Sequence, residues 1–194
     1  MRGIPGERGG DAIADIIFGN VSPSGKLPIT FPKSVEQLPA FDNYSMEGRT
    51  YKYMKESPIY PFGFGLSYAE FEWEKPSVGN STVKKDQNLK ISLNIRNKGS
   101  IDAEEVVQIY LNIENGKENL PISSLVDFKR IAVNKGKQSK VTFSIPYKEF
   151  AYYNSKGDKI QHHGKATITI GNASPGERSE QLAAKGFKID VSVD

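Results

Sequence analysis

Seven short runs of alternating apolar and polar residues, separated by Asn- and Gly-rich turn signals, predict a mainly β chain built on an antiparallel sandwich over residues 70–194. The only helical period lies in residues 9–18, so the sandwich is preceded by a partial α/β segment of one helix and one strand. Between the two runs a long, aromatic stretch with little periodicity, which reads as a linker. The expected division is therefore 1–31 for the α/β segment, 32–69 for the linker and 70–194 for the sandwich.

In the helix, Ala12, Ile13, Ile16 and Ile17 recur at intervals of three and four, while Glu7, Asp11 and Asp15 lie four apart on another face. Gly19 stands where a left-handed residue closes a helix. The three acids fit a solvated face near the positive end of the helix dipole better than a metal site or an acid/base pair. The apolar side requires a partner, to be met by self-association or by packing on the sandwich. Residues 20–25 form a turn-rich connector, and 26–31 read as an edge strand because Pro28 donates no hydrogen bond. Ser34 to Gln37 offers a short capped turn before Pro39. In 61–68 two glycines separate Phe62, Phe64 and Tyr68, and the loop serves either as a plug between domains or as a sugar-stacking platform.

After Tyr68 the period becomes two. Phe71 and Trp73 alternate with Glu70, Glu72 and Glu74, and Leu89, Ile91, Leu93 and Ile95 alternate with polar residues up to the turn Asn97-Lys98-Gly99. Further strands are expected at 105–113, 125–133, 140–145, 165–170 and 186–193, with turns at Asn115-Gly116, Asn134-Lys135-Gly136 and Asn154 to Gly157. Seven such strands without a helical period describe a sandwich of the immunoglobulin or fibronectin type III kind, with Trp73 in or beside its core.

Composition narrows the function classes. A net charge of +3, from 26 Lys and Arg against 23 Asp and Glu spread along the chain, argues against a nucleic-acid partner. Absence of cysteine removes disulfides, thiolate metal sites and a cysteine nucleophile. No run approaches the length of a membrane span, and Met1 to Pro5 lacks the apolar core of a signal peptide, so neither a membrane partner nor an export address is expected. His162 and His163 are the only histidines; being adjacent, they face opposite ways on an extended segment and read as a surface pair, so no metal and no cofactor is expected. Sequons begin at Asn20, Asn43, Asn80 and Asn172, and matter only in a eukaryotic secretory pathway.

Several blocks in order carry a resemblance. They are Pro5-Gly6-Glu7 with Gly9-Gly10, Ala12 through Gly19, Pro23-Ser24-Gly25-Lys26-Leu27-Pro28 with Thr30-Phe31-Pro32, Gly48-Arg49-Thr50-Tyr51-Lys52-Tyr53, and Tyr60 through Tyr68. Together they resemble the C-terminal region of glycoside hydrolase family 3, the β-glucosidases and β-xylosidases. Glu104 through Leu111, with Leu125 through Arg130, resembles the fibronectin type III-like domain that ends many members. The resemblance implies that 1–31 is a C-terminal remnant of an α/β sandwich domain, and that the partners are a barrel and the rest of that domain. Complete members are often periplasmic or secreted.

The family's retaining mechanism needs a nucleophile and an acid/base carboxylate, and the nucleophilic aspartate sits in the barrel before a tryptophan. Here the single Trp73 follows Glu72 on a sandwich strand, and no residue matches a catalytic one. The resemblance thus implies a non-catalytic structural part of a β-glycosidase that hydrolyses O-glycosyl bonds. The alternative is an independent carbohydrate- or protein-binding module, with β-linked sugars as possible ligands. Arg49, Tyr51 and Tyr53 would lie on one side of a strand, where they either face a sugar site in the complete enzyme or pin the linker to the barrel or α/β domain.

Overall fold

A computed structural model describes residues 6–113 and 119–194. Pro5 of the Pro-Gly turn and the predicted turn Asn115-Gly116 lie outside the described residues. The chain is mainly β. Among the described residues three short helices, α1 (Gly9–Ile17), α2 (Thr50–Tyr53) and α3 (Glu177–Gln181), accompany eleven strands. The strands are β1 (Phe71–Trp73), β2 (Ser77–Val78), β3 (Thr82–Val83), β4 (Asn88–Asn97), β5 (Ala103–Ile113), β6 (Ser124–Val133), β7 (Gln138–Pro146), β8 (Ala151–Tyr153), β9 (Lys159–Gln161), β10 (Gly164–Gly171) and β11 (Gly186–Val193).

In one sheet β4 pairs with β7 on one side and with β1 and β2 on the other. The second sheet has the order β3-β11-β10-β5-β6, antiparallel except for the β3–β11 pair. Alternation places the same parity of each strand inside: Leu89, Ile91, Leu93 and Ile95 of β4 register against Ile145, Phe143, Val141 and Ser139 of β7. From the other sheet come Val107, Ile109, Leu111, Ile168, Ile170, Val191 and Val193, all buried. Each such side chain contributes about 1.5–3 kcal/mol of transfer free energy, which makes this two-layer core the main stabilising feature. Trp73 belongs to it, as its alternation implied.

Asn97 fixes the end of the sandwich. It is fully buried, its side-chain amide donates to the carbonyls of Ile101 and Val133, and its carbonyl oxygen accepts the Gly99 N–H. An asparagine chosen for its turn-forming habit is thereby also the bridge between the two sheets.

All seven anticipated strands form. Four features differ from expectation. Residues 26–31 do not make a regular strand: they lie antiparallel to 59–64 through Leu27 N–H to Phe64 O, Gly63 N–H to Leu27 O, Phe31 N–H to Tyr60 O and Ile59 N–H to Phe31 O, with a single bridge at Phe31–Tyr60. Pro28 and Pro61 withhold donors on both sides of this pair, so it stays irregular. Residues 50–53 form the helical turn α2, not a strand. His162 is buried, with Nε2–H donating 2.7 Å to the Lys165 carbonyl, whereas His163 is exposed; the surface pair is therefore half wrong, because β9 feeds directly into β10 beneath Phe150. The β8–β9 hairpin and α3 had no periodic signal, being only three and five residues per element.

Helix α1 closes as anticipated, with Gly19 at φ 76° and its N–H bonded to the Ile16 carbonyl. It buries none of its residues. Ile16, Ile17 and Phe18 remain 37%, 69% and 80% exposed, so the sandwich does not cover its apolar face.

Candidate functional site: the joint between linker and sandwich

Strand β5 is buried on both faces over residues 107–111. Its inner face carries Val107, Ile109 and Leu111; its outer face carries Gln108 and Tyr110, both inaccessible to solvent. What covers that outer face is the aromatic loop. The Gly63 carbonyl accepts the Gln108 side-chain N–H at 3.0 Å, and the Tyr110 hydroxyl donates to Gln108 Oε1 at 2.5 Å. Gly63 has φ 77°, and a Cβ there would meet Gln108 Oε1 at 2.1 Å and the Tyr110 hydroxyl at 2.7 Å, so only glycine admits this approach.

Aromatic rings complete the contact. Tyr51 stacks on Phe62 at 4.4 Å between centroids and meets Tyr110 edge-on at 5.9 Å, while Tyr60 stacks on Phe64. The Tyr51 hydroxyl accepts the Leu125 N–H at 3.1 Å. Burial pushes the Tyr110 hydroxyl well above the ordinary tyrosine range, with Tyr51 adding to the effect. Burial also raises that of Tyr51, against the opposing Leu125 hydrogen bond. Two backbone bonds stitch the same seam, Ile122 N–H to Lys52 O and Ser174 N–H to Phe62 O, and the Arg178 side chain donates to Ile59 O.

A charged contact lies beside the aromatic one. Glu105 falls on the inward parity of β5, between Ala103 and Val107, and its carboxylate is paired with Lys26 at 2.8 Å. The two side chains are only 12% (Lys26) and 5% (Glu105) exposed, and Asn172 donates a further hydrogen bond to Glu105. A carboxylate so placed requires a partner, because desolvation without one costs several kcal/mol. The partner comes from the N-terminal segment, across a cleft of about 180 Å³ bordered by Phe64, Phe71 and Leu182. Ser24, Arg130 and Glu104 form an exposed cluster nearby, whose contribution is small by comparison.

Of the three residues singled out in the linker, the structure brings only Tyr51 to this seam. Arg49 turns away and donates to the carbonyls of Ala40, Asn43 and Ser45, folding the 40–49 loop on itself. Tyr53 is half-buried, and because 50–53 is helical the three side chains do not share a side. The roles of Glu105, Gln108 and Tyr110 had legible signals: an inward-facing Glu on a strand, and an outward parity on which Val106 and Tyr110 interrupt the polar alternation. Among the described residues no cluster of His, Cys, Asp or Glu is suited to hold a metal, and no helix is long and apolar enough to cross a membrane. The arrangement holds two parts of a chain in register.

Residues 1–68 match the model of the glycosyl hydrolase family 3 C-terminal domain, and residues 105–174 that of the fibronectin type III-like domain. The chain belongs to glycoside hydrolase family 3. It is 40% identical over 172 residues to a putative β-xylosidase of Formosa agariphila, covering 87% of this chain and 22% of that protein. It is 33% identical to a periplasmic β-glucosidase of Salmonella typhimurium, covering 86% and 23%. Among solved structures, a β-glucosidase from Erythrobacter marinus superposes with a TM-score of 0.77 at 30% identity, over 96% of this chain and 24% of the other. The Listeria innocua β-glucosidase gives 0.77 at 29%, over 97% and 26%. This family 3 chain thus spans about a quarter of the length of the relatives it matches. The two models matched are those of a C-terminal domain and of a fibronectin type III-like domain.

Proposed function

We propose that the chain is the structural C-terminal part of a β-glycosidase that hydrolyses O-glycosyl bonds of β-glucosides or β-xylosides. Catalysis belongs to a barrel and to the remainder of an α/β domain. In this reading 1–31 closes the α/β domain, 32–69 is the linker and 70–194 is the fibronectin type III-like domain. One observation carries it. Among the described residues, and setting aside Phe41 and Tyr44, twelve of the sixteen exposed large hydrophobic residues precede Glu70, although that segment makes up about a third of the chain. Such a concentration marks a surface that is covered in the working molecule. The sandwich acts as the buttress, and the joint at Gly63, Tyr51 and Lys26 fixes the angle at which the N-terminal segment leaves it. Arg49, Tyr51 and Tyr53 then hold the linker along the edge of the substrate site.

The test is a chimera. The matched C-terminal region of the Formosa agariphila protein is replaced by this chain, and hydrolysis of chromogenic β-xylosides and β-glucosides is compared with that of the truncated relative. Activity is expected from the chimera alone; a folded but inactive chimera, or turnover by this chain without a barrel, would overturn the proposal. Apart from such a partner, the open face of α1 drives self-association of the isolated chain. Sedimentation that stays monomeric at all concentrations would remove that part.

A further inference from the structure

The linker treats its aromatic side chains in two ways. Tyr51, Tyr60, Phe62 and Phe64 are paired ring to ring within the joint. Phe41 and Tyr44 are presented to solvent, 98% and 91% exposed, and neither belongs to a ring pair among the described residues. Yet the loop that bears them is braced. Arg49 donates to three of its carbonyls, the Asn43 side chain accepts the Ser45 N–H, and the Ser45 hydroxyl accepts the Glu47 N–H. A backbone fixed in this way loses little entropy when the rings are engaged, the usual condition for a recognition loop.

We propose that Phe41 and Tyr44 form a stacking contact for a pyranose ring of a β-linked glucose or xylose chain, with Arg49 as the positioning residue that shapes the loop. The proposal rests on the reading that the chain serves a β-glycosidase. A β-linked glucose or xylose ring carries its substituents equatorially, so its faces are flat arrays of C–H bonds that suit an aromatic ring, while its rim is all hydroxyl. The residues beside the two rings match that rim: Asp42, Asn43 and Glu47 are exposed, and offer carboxylates and an amide. A protein partner is the less fitting occupant, because carboxylates are depleted from the cores of protein interfaces. Three residues of chain, turned by the Asn43 N–H to Ala40 O bond, keep the two Cα atoms within about 10 Å of each other, so both side chains can reach one or two adjoining sugars. The residues marked out on the sequence for this role are otherwise engaged, Arg49 by its carbonyls and Tyr51 by the joint.

The experiment is a saturation-transfer NMR titration of the 194-residue chain with xylotriose and cellotriose, with sorbitol as a polyol that lacks a ring face. Transfer to the ring C–H protons of both oligosaccharides, and none to sorbitol, is expected. Phe41→Ala with Tyr44→Ala should weaken binding at least about tenfold, the loss typical of a truncated aromatic anchor. Phe41→Leu with Tyr44→Leu should weaken it as much, since leucine keeps apolar area without a flat face. Both pairs should unfold at the wild-type temperature. Absence of transfer to the wild-type chain, or unchanged binding by either pair, overturns the proposal. So does a chimera that the alanine pair prevents from assembling while the free chain binds no sugar, which would make the loop a protein contact. The chimera can be active whether or not the free chain binds xylotriose, so the two readings fail separately.

Discussion

Replacing Gly63 by alanine tests whether the joint is part of the cooperative structure. The residue has φ 77°, a conformation that costs an L-residue about 1–2 kcal/mol. Its new Cβ would sit 2.1 Å from Gln108 Oε1 and 2.7 Å from the Tyr110 hydroxyl, so the loop must lift away. That breaks the bond from Gln108 to the Gly63 carbonyl and disturbs the bond between Tyr110 and Gln108, both buried. Each unsatisfied buried group costs about 1–3 kcal/mol, and the whole change comes to about 4 kcal/mol. At this chain length 1 kcal/mol corresponds to about 2–4 °C, so Tm should fall by about 8–16 °C. Gly136→Ala is the control: φ is 70° there too, but nothing lies within 4 Å of the added Cβ. It should lose only the backbone component, about 1–2 kcal/mol. Thermal unfolding followed by circular dichroism at neutral pH compares the two variants. Equal shifts for Gly63→Ala and Gly136→Ala would refute the reasoning, since they would mean that the loop lifts off the sheet at no cost.

Two further outcomes are expected. Lys26→Met leaves Glu105 buried without its counter-charge and should destabilise the chain by about 3–5 kcal/mol in urea titrations, whereas adding Glu105→Gln should restore much of the loss; a double variant as unstable as the single one contradicts this. Folding raises the pKa of Tyr51 and Tyr110, so the folded state holds protons that the unfolded state gives up. Their contribution is therefore intact below the ordinary tyrosine pKa of about 10 and is lost as pH rises above it. Tm should decline steeply there, and Tyr110→Phe should flatten the decline; an unchanged slope would show that Tyr110 has no part in it.

The sandwich was legible because alternation is a direct image of a strand with one wet face, as at Leu89 to Ile95. Its exception left a partial trace, since the outward parity of β5 carries Val106 and Tyr110 on either side of Gln108, the residue that bonds the linker. The linker itself was not legible. Thr50 to Tyr53 reads equally well as extended; in the fold it is a helical turn whose Tyr51 packs against Phe62 and Tyr110, contacts that no local pattern reports. Likewise Pro28 correctly signalled an edge, but not that its partner would be a proline-bearing loop too irregular for a strand. The pairing of Lys26 with Glu105 spans the whole linker and the first strands of the sandwich, and no local pattern reports a contact at that separation. Its trace was the single inward Glu, which asks for a cation without naming one.

The placement of that cation bears on how such enzymes are assembled over evolutionary time. A sandwich that carried its own neutralising charge could be cut at Glu70 and joined to unrelated enzymes as an interchangeable part. This one depends on Lys26 for charge and on Gly63 for the cover of β5, both upstream of the apparent boundary. Recombination that keeps the sandwich intact must therefore carry the linker with it, and the heritable unit begins before the first strand does.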